Sequence, residues 1–263
     1  MASLTSHFCA TKKPTATKLL ARLAGLALPH ALIKVCTEFA GRKPCFYVPV
    51  AYYMALDNLE HVLVDCDYFK LEQAVPRSGS VVVDAGAFLG FYSVASSTLA
   101  GRSGRVVAVE ANPGILGYLK LNLDYNKAYN TLLIPRALCS HTGFTKLYIG
   151  AYPAVSSTIR SHVEEHTRVE RAVEVKCLKL STLLSYLGFT NVLKLDVEGL
   201  ELELLREASS ALHRVKTVVV EVHTDVVEVA DIEEELARSG FTKIVLYAVH
   251  EAPSQVVAYG FRN

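Results

Sequence analysis

The sequence predicts an α/β protein, a mostly parallel sheet covered by helices on both faces. Three observations carry that expectation. From residue 80 onward, apolar strand-like runs alternate with segments of helical spacing. The runs VVVD, RVVAVE, NVLKLD and TVVVEVH are dominated by apolar residues without strict alternation, as expected of strands buried on two faces. The last two runs, TKIVLYAVH and QVVAYGF, have no helix between them, which predicts an antiparallel hairpin at one edge.

At 263 residues, 51% of them hydrophobic, the chain can bury the core of one large domain with an extension. Up to Thr37 it carries Lys12, Lys13, Lys18, Arg22 and Lys34 and no acid, so the remainder is mildly acidic. The net charge of +1 argues against a protein that grips long stretches of nucleic acid. In KLLARLAGLALPHALIKV, interruptions at Arg22, Pro29, His30 and Lys34 exclude a membrane span, and no small-residue cleavage pattern follows. Leu19, Leu20, Leu23, Leu26 and Ala27 share one face, flanked by Lys18 and Arg22, so an amphipathic helix ending at Pro29 is expected. We expect that face to pack on its own domain; the alternative is contact of residues 15–35 with a membrane surface or a partner. The aromatic stretch CFYVPVAYYMALDNLEHVLVDCDYF and several prolines then mark residues 1–70 as an N-terminal cap on a main domain of residues 71–263.

Within the main domain SVVVD is a strand and FLGFYSVASSTLA a helix. RVVAVE is the next strand, and Ile115, Leu119 and Leu123 recur on one face of the helix PGILGYLKLNLDYN. TLLIPRAL and TKLYIG read as shorter strands, and residues 151–170, without clean periodicity, as a long loop. The alternation resumes with the strand VEVKCLKL, a short helix closed by Gly188, and the strand NVLKLD. The helix LELELLREASSAL, the strand TVVVEVH and the helix VVEVADIEEELARSG precede the final hairpin.

Cys9, Cys36, Cys45, Cys66, Cys139 and Cys177 form no CxxC pair and no Cys/His zinc spacing. They are expected to be reduced, mostly buried thiols of a cytoplasmic protein. The two glutamines, two methionines and many alanines and valines also suit a thermophile, in which an internal disulfide is compatible with the same location.

Ligands of such sheets sit beyond the carboxyl ends of the strands. There DAGAFLG places Asp84, Gly86 and Gly90, and RVVAVEANP places Glu110, an acid able to take both hydroxyls of a ribose. The spacing GAFLG is not the GxGxxG of a dinucleotide fold, and no Walker-type lysine follows, so an adenosine-containing ligand of another kind is favoured. KLDVEGLELELL ends a strand on Asp196, with Glu198 and Gly199 behind it and Lys194 inside an apolar run. Glu198 and Glu201 also suit a helix N-terminus with no further role. In VVVEVHTD, Glu221 and His223 leave the strand on the same face.

VVVDAGAFLG, VVAVEANP, LKLDVEGLELELL and VVVEVH together resemble the successive motifs of the FkbM family of S-adenosylmethionine-dependent methyltransferases, from about Tyr68 to the C-terminus. The resemblance implies a seven-stranded Rossmann-like sheet with an antiparallel last strand, and S-adenosyl-L-methionine as cofactor. By position, Asp84, Gly86, Ala87 and Gly90 would line the methionine and sulfonium end. Glu110 would hold the ribose, Asn112 would shape that turn, and Arg136 and Ala137 would adjoin the adenine. Phe88 departs from the family, which usually has asparagine there. The acceptor implied is a hydroxyl of a small molecule or glycan, with Asp196 or His223 as base and Glu198 positioning the acceptor. Tyr52, Tyr53, Tyr68 and Tyr152 are candidates for the acceptor pocket, or plain core. No metal is assigned, although Asp196, Glu198, Glu221 and His223 could supply ligands for Mg²⁺. An RNA methyltransferase and a non-catalytic nucleotide-binding protein remain the alternatives, and nucleic acid is disfavoured by the charge.

Overall fold

The computed structural model describes residues 8–10, 13–28, 31–249 and 255–262. Lys12, Pro29 and His30 lie outside them, as do the side chains of Leu26 and Ala27. The segment before the main sheet, termed the cap below, comprises α1 (Thr15–Ala27), β1 (Leu32–Cys36), β2 (Cys45–Pro49) and α2 (Ala55–Leu63). Then follow β3 (Val81–Ala85), α3 (Phe91–Ala100), β4 (Arg105–Glu110), α4 (Leu116–Tyr125) and β5 (Thr131–Pro135). The chain next leaves the main sheet through β6 (Ala137–Cys139), β7 (Gly143–Gly150), α5 (Arg160–His166) and β8 (Val169–Lys179). It returns with α6 (Leu180–Leu187), β9 (Thr190–Leu195), α7 (Glu201–Glu207), β10 (Val215–His223), α8 (Val229–Arg238), β11 (Lys243–Ala248) and β12 (Gln255–Phe261).

The main sheet has seven strands in the order β11-β12-β10-β9-β3-β4-β5. β10, β9, β3, β4 and β5 run parallel, while β12 is antiparallel to both β10 and β11. The terminal hairpin therefore exists, with the last strand wedged inside and β11 at the edge. The apolar runs are explained by two buried faces. Val82, Val106, Val192 and Val219 pack with the cap, α3 and α4, while Val83, Val107, Leu193 and Val218 pack beneath α6, α7 and α8. Each such side chain contributes roughly 1.5–3 kcal/mol by leaving water.

The excursion differs from expectation. β6, β8 and β7 form a separate three-stranded sheet, and residues 160–166 are helical inside the stretch read as a loop. β8 reads VERAVEVKCLK and is half exposed along its length. Alternating charge forbids the double-sided burial that the main sheet demands, so it pairs outside. α7 is also shorter than its pattern, ending at Glu207 before a tight turn at Leu212–Arg214.

Two further expectations are corrected. The cysteines are not thiols: Cys9–Cys66, Cys36–Cys45 and Cys139–Cys177 are disulfides, at sequence separations of 57, 9 and 38 residues. The fold sets these pairings. Cys36 faces Cys45 across the β1–β2 ladder, and Cys139 and Cys177 lie on the paired strands β6 and β8. The leucine face of α1 does not pack inward either, since Leu19, Leu20 and Leu23 are 60%, 67% and 59% exposed while Ala21 is buried. Electrostatics turns the helix. Lys18 pairs with Asp57 and, at 2.8 Å, with Glu60 of α2, while Lys13 reaches Glu60 at 3.6 Å and Asp65 at 3.5 Å. No helix among the described residues is long and apolar enough to cross a membrane.

Candidate active site

A cleft opens beyond the carboxyl ends of β3, β4 and β9 and is roofed by residues 153–158 of the excursion. Of the residues singled out from sequence, Gly86, Glu110, Arg136, Ala137, Asp196 and Glu198 line it. Asp84, Ala87, Gly90, Asn112 and His223 do not; they stand behind that wall.

The first turn is locked by close approach. Gly86 has φ +78°, and a Cβ there would sit 1.7 Å from the carbonyl oxygen of Asp196, so only glycine lets the β3 turn meet the end of β9. Gly90, also at positive φ, starts α3 against Leu119. Lys194, buried inside β9, ties the turn to its neighbours. Its Nζ donates to the Gly86 carbonyl at 2.8 Å and pairs with Asp196 at 3.0 Å and Asp84 at 3.2 Å. Asp84 also accepts the Ser93 hydroxyl at 2.5 Å. It balances the buried lysine and does not face the cleft.

Glu110 is held by two backbone amides. Its two oxygens accept the backbone N–H of Phe88 at 2.8 Å and of Asn112 at 2.7 Å. Four acceptor positions on a carboxylate, two of them used, leave two for a ligand. Burial pushes its pKa up, against the pull of those two amides. Asn112 closes the turn by accepting the Gly114 N–H at 2.9 Å and donating to Ser156 at 3.2 Å. These free acceptor positions fit the ribose hydroxyls of an adenosyl cofactor, and Gly86, Arg136 and Ala137 line the same cleft.

The second half of the site is a carboxylate–imidazole cluster. Burial raises the Asp196 carboxyl to about 7, with Glu221 and Glu198 adding to the effect and Lys194 opposing it. Glu198 stands at φ +54°, a conformation costly for a side chain of this size, and its carbonyl accepts the Ser157 hydroxyl at 2.7 Å. His223 binds Glu201 through Nδ1 at 2.9 Å, and its Nε2 points between Glu198 at 3.6 Å and Asp196 at 4.0 Å. Burial works against a charged His223 ring, but Glu201 and Glu198 hold its pKa well above the usual value. Tyr68 donates its hydroxyl to Glu221 and lies 3.3 Å from Asp196. His61 completes the far side, pairing with Asp67 at 2.7 Å and Glu221 at 3.2 Å. The other candidate tyrosines stand back from the cleft: Tyr152 donates to Asn58, a lining residue, and Tyr52 packs on Tyr118.

Sequence reasoning missed His162 and Asp225. His162 is buried on α5, with Nδ1 on Asp225 at 2.5 Å and Nε2 on Glu198 at 2.9 Å. A signal was present: His162 and His166 are four residues apart, on one face of a helix, and both reach Asp225.

The Methyltransferase FkbM domain matches residues 84–243, which contain every cleft-lining residue except Asn58. No curated protein matches the chain. Among solved structures it is similar to the methyltransferase FkbM from Methylobacillus flagellatus KT, with 14% identity and a TM-score of 0.49 over 95% of this chain and 61% of that one. It is also similar to precorrin-6y C5,15-methyltransferase from Geobacter metallireducens GS-15, with 17% identity and a TM-score of 0.47 over 73% and 85% of the two chains. A third is an S-adenosylmethionine-dependent methyltransferase from Aquifex aeolicus, with 13% identity and a TM-score of 0.45 over 80% and 96%. With more than half of its length matched by the family, the chain belongs to the FkbM methyltransferases, whose cofactor is S-adenosylmethionine.

Proposed function

We propose that the protein methylates a hydroxyl oxygen of a small molecule or glycan, with Asp196 as the base. One observation carries this reading: Glu110, Asp196 and Glu198 line the same cleft, so an acid suited to a ribose and two further carboxylates share one ligand space. Bound S-adenosylmethionine supplies a methyl group on a sulfonium, an electrophile with its leaving group already in place. The chain has to hold that group, align the acceptor, exclude water and take a proton.

Glu110 takes the ribose hydroxyls, the main chain at Gly86 faces the sulfonium end, and Arg136 and Ala137 flank the adenine. Asp84, Ala87, Gly90 and Asn112 act through the shape of the two turns. Residues 153–158 close over the cleft and keep water out. Asp196 accepts the hydroxyl proton, and Glu198 orients the acceptor. His223 lies behind both carboxylates and supports them, so the structure favours Asp196 over His223 as the group that meets the proton. An RNA acceptor finds no support in the near-neutral charge.

Asp196→Asn tests the assignment. Turnover with a hydroxyl acceptor should fall by about 10²–10⁴ while affinity for S-adenosylhomocysteine stays within about threefold. Undiminished turnover would remove Asp196 from the mechanism.

A further inference from the structure

We propose that His162, Glu198 and His223 form a binding site for one divalent transition-metal ion just behind the cleft wall. One ligand atom from each of His162, Glu198 and His223 lies within 4.8 Å of the other two. Glu198 Oε2 is the common point, 2.9 Å from His162 Nε2 and 3.6 Å from His223 Nε2. Metal–ligand bonds of about 2.0–2.2 Å need donor atoms at about such separations.

Three features separate this cluster from an ordinary set of ion pairs. First, His223 is 3% exposed and its Nε2 has no hydrogen-bond partner among the described residues. Its nearest carboxylate oxygens, at 3.6 and 4.0 Å, are too far for a hydrogen bond. A buried ring nitrogen left in that state is costly, and an ion bound between the three donors would satisfy it. Second, each histidine gives its Nδ1 to a separate carboxylate, His162 to Asp225 at 2.5 Å and His223 to Glu201 at 2.9 Å. That is how proteins fix the ring of a metal-ligating histidine and commit Nε2 to the ion. Third, Glu198 holds a left-handed backbone conformation that brings its carboxylate to both rings from the cleft side.

Two imidazoles and one carboxylate select zinc, cobalt, manganese or iron over magnesium, and three protein ligands leave a position open. Glu198 is the ligand that lines the cleft, and the open position is assigned to that side. Competing groupings are weaker. Glu221, which could join Asp196 and His223, is already engaged by Tyr68 and His61, and His166 reaches Asp225 from a more exposed position. The role follows from the methyltransferase reading, and the binding does not. An acceptor hydroxyl on the ion would be polarised and more acidic, and its proton would pass to Asp196, the adjoining carboxylate on the cleft wall.

The test is titration of metal-stripped full-length protein with Co²⁺ and Zn²⁺, read by metal content and by the visible d–d absorption of cobalt. S-adenosylhomocysteine binding is measured in parallel. One ion per chain is expected, with Zn²⁺ displacing Co²⁺. His162→Ala and His223→Ala should each weaken uptake at least 100-fold, and Asp225→Asn, which reaches the site through the His162 ring, about 10–100-fold. Glu198→Gln removes a ligand at the cleft wall without truncating a buried ring, and should also abolish cobalt absorption. Wild-type protein that binds S-adenosylhomocysteine yet takes up no Co²⁺ or Zn²⁺ would overturn the proposal and leave the cluster a hydrogen-bonded ion network. Uptake that the Glu198, His162 and His223 changes leave intact would overturn it equally. Loss of S-adenosylhomocysteine binding alone would count against the methyltransferase reading, not against the metal.

Discussion

Gly86 shows how narrowly one residue can fix this site. Its missing side chain is what allows the carbonyl of Asp196 to lie against the β3 turn, while Lys194 Nζ binds the Gly86 carbonyl from the other side. Gly86→Ala should therefore destabilise the protein by about 2 kcal/mol or more, since both the positive φ and the steric overlap must be relieved. Denaturant unfolding would measure it, and a variant as stable as the wild type would contradict the packing described. At this scale the sequence was legible where chemistry and position coincide. Glu110, Asp196 and Glu198 could be placed because each falls at or just beyond a strand's carboxyl end, where the fold puts ligands. His162 and Asp225 could not, because their meeting depends on the excursion folding back over β10, and no local pattern encodes that return.

Among the elements, α1 carries the clearest disagreement between pattern and packing. Helical spacing marks a leucine face, yet Lys13 and Lys18 are drawn to the acids of α2 and the leucines face outward. Leu20→Gln should then change stability by no more than about 0.5 kcal/mol. Ala21→Asp, one residue on, should cost about 2 kcal/mol or more by burying an unpaired charge. The reverse order in thermal or denaturant unfolding would show that the helix packs the other way. The strands of the main sheet were readable because two buried faces leave an unbroken apolar run. β6, β7 and β8 were readable as strands but not as a separate sheet, since partner choice is a long-range property that no single run contains.

For the whole molecule, cap and sheet share one apolar cluster, in which Phe46, Phe69 and Leu56 of the cap pack with Val82, Leu89 and Phe91. Three disulfides pin the two outlying parts, two of them within the cap and one inside the small sheet. Chain-entropy arguments assign about 4 kcal/mol to each of the two longer loops. Disulfides of this number belong to oxidising compartments or to intracellular proteins of hyperthermophiles, which replaces the picture of reduced thiols. Charge adds a pH-dependent contribution through His61, which joins cap to sheet. Burial opposes its charged form, but Glu221 and Asp67 raise its pKa from the ordinary 6.5 to about 10. The raised value means that the stabilisation is complete below about pH 6.5 and is lost as pH rises through about 10. The stability difference between wild type and His61→Gln should therefore shrink over that window by an amount on the order of a few kcal/mol. A difference constant from pH 6 to 10 would show that His61 is not held charged. The central claim is that the cleft beyond β3 and β4 binds S-adenosylmethionine through Glu110. Its most direct test is calorimetric titration of the wild type and of Glu110→Ala with S-adenosylmethionine, S-adenosylhomocysteine and NAD. The account predicts that the wild type binds the first two and not NAD, and that the substitution weakens both by roughly tenfold or more. Binding of NAD instead, or affinity for the adenosyl compounds untouched by the loss of Glu110, would contradict it.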